Sequence, residues 1–195
     1  MQSVELTHIY KSFGKRPIFL NFSCAFHANS INIVFSAAKK GKTTLLMMAA
    51  GLMEPDFGNI KRVAPISMAF ADDRLVPHLN ALDNCLLSSA LPKKKEAFAM
   101  DMLGRLHLKH MAKAYPKDLS PCESRRLSLC RALIADYELL ILDEPLLNLD
   151  KNIIPIVLEQ IKQHSRGKIC IIATNSTHYL KELRAKMVYL PEIRA

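Results

Sequence analysis

Two carboxylates close an apolar run in this chain: Leu139-Leu140-Ile141-Leu142 leads directly into Asp143-Glu144-Pro145. An unbroken apolar stretch of this length reads as a strand buried on both faces. Proline ends it, because it has no N–H to continue a ladder. Such a strand carries Asp143 and Glu144 to its C-terminal edge. An aspartate there can hold Mg²⁺, and a neighbouring glutamate can orient or deprotonate an attacking water. A hundred residues earlier, Gly41-Lys42-Thr43-Thr44 lies between the β-branched run Ile31–Phe35 and the apolar stretch Leu45–Met48. A strand, a loop ending Gly-Lys-Thr and a helix make the setting of a phosphate-binding loop. Backbone N–H groups cradle phosphate there, the lysine reaches the outer phosphates and the hydroxyl holds Mg²⁺. Each half also has a plain alternative, a basic loop before a helix and an acidic turn after a strand. Together they point to Lys42 on phosphate, Thr43 and Asp143 on metal, and Glu144 as general base.

The elements that must position these groups follow from period and punctuation. Val4–Ile9, Phe19–Phe26 and Ile31–Phe35 read as strands, Thr43–Leu52 as a helix, and Asn59–Arg62 and Ile66–Phe70 as short strands. The stretch from Asn80 to Leu133 reads mostly as helix. Strand Leu139–Asp143, helix Asn152–His164, strand Lys168–Ala173, helix Thr177–Lys186 and strand Met187–Leu190 follow. Alternating α and β favours an α/β core with a mostly parallel sheet. The expectation is one domain over residues 1–195, with a core at about 1–74 and 137–195 and a helical subdomain at about 75–136.

Half of the 195 residues are apolar and 23% are charged, a composition that excludes a disordered chain. No apolar run approaches the ~18 residues needed to cross a bilayer. The first residues, Met1-Gln2-Ser3-Val4-Glu5, lack the basic start and apolar stretch of a secretory leader, so a cytoplasmic chain is expected. Five cysteines, with no Cys-x-x-Cys spacing, support neither a disulfide framework nor a zinc site. The net charge of +9 is spread along the chain, and 7% aromatics offer no base-stacking platform. Nucleic acid is therefore not an expected partner.

The order of these segments resembles the ATP-binding subunit of ABC transporters over nearly the whole chain. Leu6–Arg16 (LTHIYKSFGKR) is similar to the family's opening, with Phe13 at the position of the aromatic that stacks on adenine. Gly41–Asp56 is close to the family throughout. Asp72–Asn84 resembles the segment after the Q-loop in nitrate, sulfonate and taurine importers. Leu119–Leu133 resembles the signature segment and its helix, and Leu139–Asp150 resembles Walker B followed by the D-loop. The resemblance implies a P-loop NTPase with a RecA-like core, N-terminal antiparallel β strands and a helical signature subdomain. It implies ATP and Mg²⁺ as cofactors, and a head-to-tail homodimer or heterodimer of ATP-binding subunits. Each ATP would lie between one phosphate loop and the facing signature loop. It also implies a membrane permease partner, which would hold the chain at the inner face of the cell membrane. Leu75, Val76 and Leu79 would lie on the docking face.

Departures from the family fall at its glycines and phosphate sensors. Ser36 and Lys39 replace phosphate-loop glycines, and Lys39 and Lys40 add positive charge beside the phosphates. Asn29 stands where a turn glycine is frequent, and asparagine tolerates the left-handed backbone. Ala71 aligns with the Q-loop glutamine, with Asp72 one residue beyond. The signature is Leu119-Ser120-Pro121-Cys122-Glu123, which keeps the serine hydroxyl but loses glycine N–H groups. The same residues spell a helix start, with Ser120 as N-cap, Pro121 at N1 and Glu123 closing a capping box. Asn175 aligns with the switch histidine and can bond a phosphate oxygen without carrying charge. Retained are Phe13, Gly41, Lys42, Thr43, Thr44, Asp143, Glu144 and Asp150. Two functions are consistent with this set. One is a transporter subunit that couples ATP binding and weak hydrolysis to its permease. The other is a degenerate nucleotide-binding or regulatory module paired with a competent ATPase.

Overall fold

The computed structural model describes residues 2–36, 41–87, 92–175, 183 and 185–190. The N-terminal half opens with a long hairpin: β1 (Ser3–Phe13) and β2 (Arg16–His27) pair antiparallel about Gly14-Lys15. β3 (Ser30–Phe35) follows a turn at Asn29, which takes φ 60°. Asparagine therefore occupies the left-handed position as expected. After α1 (Lys42–Ala49), β4 (Phe57–Lys61) joins the free side of β1, giving a three-stranded antiparallel sheet in the order β2-β1-β4.

The second sheet is parallel throughout. β5 (Ile66–Ala69), β6 (Leu139–Asp143), β7 (Ile169–Thr174), β3 and β8 (Lys186–Tyr189) lie in the order β5-β6-β7-β3-β8. Every residue of β6 and β7 is buried. Leu139 and Ile141 face one apolar core, shared with α1 and the antiparallel sheet. Leu140 and Leu142 face the other, shared with the helices. Burial on both faces is why these strands read as continuous apolar runs. Each such side chain contributes about 1.5–3 kcal/mol of burial free energy.

The expected elements are present with shifted ends. α1 stops at Ala49 rather than Leu52. Gly51 (φ 70°) donates its N–H to Met48, and Leu52 donates to Met47, the paired bonds of a Schellman closure. β1 and β2 run past their apolar stretches, because backbone pairing continues where the side chains turn polar. β8 begins at Lys186, inside the expected helix Thr177–Lys186, most of which lies outside the described residues.

The helical block holds α2 (Ala81–Leu86), α3 (Pro92–Arg105) and α4 (Pro121–Ile134), and α5 (Ile154–His164) packs on the same side of the sheet. Leu75 is half-buried and packs against this apolar core. Val76 and Leu79 are half-buried in a turn folded around the fully buried Asn84. That side chain accepts from Val76 N–H and donates to the carbonyls of Val76 and Leu79. The segment leaves Pro77 and His78 exposed instead.

α4 starts as its sequence predicts. Ser120 Oγ accepts from Glu123 N–H at 3.3 Å, and Glu123 Oε2 accepts from Ser120 N–H at 2.8 Å. The Ser120 backbone N–H, and then its hydroxyl, hold the Glu123 carboxyl below the ordinary glutamate range. A depressed folded-state value contributes stability that is present above the unfolded value of about 4.3 and is lost as pH falls through the folded one. Glu123→Ala should therefore cost about 1 kcal/mol near neutral pH. In urea unfolding series, the gap from the parent chain should narrow as pH falls below about 4.

Candidate active site

Parallel strands end together, so the C-terminal edge of the sheet collects the loops after β3, β5, β6 and β7. Gly41 stands at the N-cap of α1 with φ 85°. A Cβ there would lie 2.6 Å from Ile18 Cγ2 and 3.1 Å from Phe19 Cζ, so both conformation and space demand glycine. β2 is thus pressed against the exit of the phosphate loop. Gly41 brings no capping side chain, which leaves the first N–H groups of α1 to an anion.

Thr43 Oγ1 donates to Asp143 Oδ2 at 2.7 Å and joins the start of α1 to the end of β6. Asp143 is only 2% exposed. Burial pushes its carboxyl up, opposed by the Thr43 bond and the Lys42 charge. Glu144 takes φ 47°, its N–H donating to Ala173 O at 2.8 Å, and this turn swings its side chain toward Lys42. Its Oε2 accepts from Asn175 N–H at 3.2 Å, while its buried Oε1 lies 3.7 Å from Lys42 Nζ with no hydrogen bond. Lys42 Nζ donates to Ser36 O at 3.2 Å and to Asn175 Oδ1. A buried ammonium is thereby surrounded by one carbonyl, one amide oxygen and one carboxylate.

These groups line a cleft of about 370 Å³, whose wall also includes Thr44, Ala71, Arg16 and Ile18. That size lies in the range of small-molecule sites. Thr43, Asp143 and the unbonded Glu144 oxygen form a hard-oxygen set of the kind Mg²⁺ takes alongside substrate phosphates. The residues present therefore fit a Mg-nucleotide.

Of the residues the sequence singles out, Gly41, Lys42, Thr43, Thr44, Asp143, Glu144 and Asn175 meet in this cleft. Ser36 is buried and contributes its carbonyl. Lys39 and Lys40 lie outside the described residues. Phe13 stands half-exposed at the end of β1, with Lys11 Nζ 5.8 Å from its ring centroid, and is not on the cleft wall. Ser120 is at the start of α4, its hydroxyl donating to Glu123, and Asp150 is exposed just before α5. Neither lines the cleft of its own chain. Ala71 does, whereas the exposed Asp72 is paired with Arg74 at 3.0 Å. The register with alanine in the glutamine's place is therefore the one that faces the cleft.

Sequence reasoning missed the arginines that hold this segment. Arg125, fully buried on α4, donates from Nη1 to Phe70 O at 2.7 Å and from Nη2 to Ala71 O. Its Nη1 also lies 3.2 Å from Asp73 Oδ1. Arg131, one helix face further on, donates to the carbonyls of Asp73 and Arg74 at 2.8 Å each. Both of those residues have positive φ, 55° and 48°. Two adjacent left-handed non-glycine residues are uncommon and need such over-determination. Arg126, 8% exposed, donates to Leu106 O at 2.8 Å. The available signal was a pair of arginines beside the apolar run of α4, where an unpartnered charge cannot be buried. Arg125→Met should lower stability by about 3–5 kcal/mol in urea unfolding, because it strands Asp73 and two carbonyls. Arg125→Lys should recover only part of this, since it lacks the fork.

Comparison with known proteins agrees with this geometry. The family model described as "ABC transporter" matches residues 24–147. The aliphatic sulfonates import ATP-binding protein SsuB 1 of Nocardia farcinica is 30% identical over 148 residues, covering 76% of this chain and 60% of that protein. The Fe(3+) ions import ATP-binding protein FbpC 1 of Rhizobium meliloti is 34% identical over 176 residues, covering 83% of this chain and 50% of that protein. The chain thus spans about half to three-fifths of the length of these relatives. Among solved structures, the dimeric bacterial ABC transporter cassette MJ0796 superposes with a TM-score of 0.84 at 19% identity, covering 96% of this chain and 94% of that one. The fold, the carboxylates at the strand edge facing the Gly-Lys-Thr loop, and the matched span of sequence agree, and the chain belongs to the ABC transporter family.

Proposed function

We propose that this chain is an ATP-binding subunit of an ABC importer, coupling ATP binding to a membrane permease. The observation that carries the reading is the Thr43–Asp143 bond beside a buried Lys42 matched by Glu144 and Asn175. Lys42 and the first N–H groups of α1 would hold the phosphates, with Ser36, Lys39, Lys40 and Thr44 around them. Thr43 and Asp143 would hold Mg²⁺, which neutralises phosphate charge when bound. Phe13 would meet adenine. Ser120 and Asp150, remote from their own cleft, would serve the facing cleft of a homodimer or heterodimer. The matched relatives are named as import proteins, which supports the importing direction. Among the described residues no helix is long and apolar enough to cross a membrane, so attachment at the inner face would run through the permease.

Hydrolysis by this cleft should be slow. Glu144 supplies a carboxylate that can take a proton from water. Ala71 has no polar group with which to position that water, and Asn175 cannot share a proton near neutral pH. Pro121 has no N–H for a γ-phosphate, and the Ser120 hydroxyl is already bonded to Glu123. Loss of one transition-state donor costs ~10²–10³ in rate, and losses within one site need not add.

Titration of a fluorescent ATP analogue with Mg²⁺ tests the binding. Lys42→Ala should weaken affinity at least ~10-fold, the worth of a charged hydrogen bond. Equal affinities would remove ATP binding at this loop. In phosphate-release assays the purified chain should remain at background, and Glu144→Gln should leave that value unchanged. A rate that Glu144→Gln abolishes would show a competent hydrolase.

A further inference from the structure

A nucleotide carries several negative charges into a cleft that already contains two carboxylates, Asp143 and Glu144. Lys42 is matched within the chain, 3.7 Å from Glu144 and bonded to Asn175. One further cation lines the wall among the described residues, Arg16. It is the first residue of β2 and pairs with Phe13 across the hairpin. The pairing shifts register between Lys11 and Ser12, which leaves Ile18 as the extra residue of a bulge, and Arg16 and Ile18 both line the cleft wall. Ile18 is the residue that packs at Gly41, 2.6 Å from where a Cβ would stand. Arg16 is thus on the cleft wall at the end of β2 that pairs with Phe13.

We infer that Arg16 is a second phosphate-binding residue of this cleft, taking the α- or β-phosphate of a nucleoside di- or triphosphate while Lys42 takes the outer end. The inference rests on the ATP-binding reading above, and it adds a group for which the phosphate-loop pattern has no position. The planar fork of arginine matches two phosphate oxygens at once. Its place on a paired strand fixes its height above the loop. Its place on the Phe13 side assigns it the inner phosphates.

The test measures Mg-ATP and Mg-ADP affinity of the full chain by calorimetric titration at low and moderate salt, in the parent, Arg16→Gln, Arg16→Lys and Lys42→Ala forms. Arg16→Gln should weaken ATP and ADP alike by ~10-fold, and its affinity should depend less on salt, because one charge contact is gone. Arg16→Lys should recover part of the loss, since it keeps the charge but lacks the fork. Arg16 is exposed, and a thermal melt matching the parent checks that the hairpin is intact. If Lys42→Ala weakens binding while Arg16→Gln matches the parent at both salts, Arg16 is not a phosphate ligand and the ATP-binding reading stands. A loss in Arg16→Gln with unchanged salt dependence, or one that Arg16→Lys fails to relieve, also overturns the assignment. If Lys42→Ala binds as the parent does, the ATP-binding reading itself fails.

Discussion

The bond from Thr43 to Asp143 ties together residues a hundred positions apart, and the rest of the site is arranged around it. It depends on a sheet whose strands all run the same way, so that β3 feeds its loop and helix to the edge where β6 ends. It also depends on both faces of that sheet being covered. Only then is Asp143 so little exposed that its charge must be answered locally. A carboxylate in that position needs a hydroxyl, a neighbouring cation or a metal. The Thr43 hydroxyl is bonded to it, and the Lys42 charge lies near enough to favour its ionised form. Low local dielectric strengthens these contacts and makes any one of them costly to lose.

A second set of constraints couples the helical block to the same edge. α4 carries two buried arginines, Arg125 and Arg126, and a half-buried third, Arg131, and each donates to backbone carbonyls. Arg125 and Arg131 hold successive residues of the loop after β5, whose backbone could not otherwise stay left-handed at Asp73 and Arg74. The loop places Ala71 on the cleft wall. A displacement of α4 must therefore move that wall or break a buried fork. This is a direct physical link between the helix that begins at Ser120 and the cleft that holds Lys42, and it exists without the glutamine at position 71.

Much of this was legible because the relevant physics is local or periodic. β6 and β7 announce themselves as apolar runs, since a strand covered on both faces has no polar alternation to show. The Thr43–Asp143 pairing follows from residue types that chemistry requires at a loop and at a strand end. The capping box at Ser120 is complete within four consecutive residues. Asn29 in a left-handed turn needs only its own side chain. The failures share a different property. The end of α1 was misplaced because Leu45–Leu52 is apolar throughout, and the Schellman closure at Gly51 cuts across that pattern. The partial burial of Leu75 left no mark in the sequence, because the helical core it packs against lies further along the chain. Arg125 was invisible because its partners are carbonyls more than fifty residues away, and a carbonyl leaves no mark in a sequence.

Under the proposed function, Asn175 is where binding and turnover would separate in this cleft. Its backbone N–H serves Glu144 and its side-chain oxygen serves Lys42, so one residue bridges the cation and the Glu144 carboxylate. Asparagine has no titration near neutral pH, so this bridge is the same across the physiological range. A phosphate oxygen arriving at Lys42 has to compete with Asn175 and with the Ser36 carbonyl. It is favoured because a full negative charge outbids two neutral dipoles at an ammonium. Once Asn175 is displaced, its amide can turn its N–H₂ group to the phosphate and stabilise the bound state. It offers nothing further as charge develops in the transition state. Groups that hold ground and transition states equally well improve affinity without improving rate. Under the proposed function, Lys42, Thr43 and Asp143 would favour holding a nucleotide, whereas positions 71 and 175 would add little to its conversion.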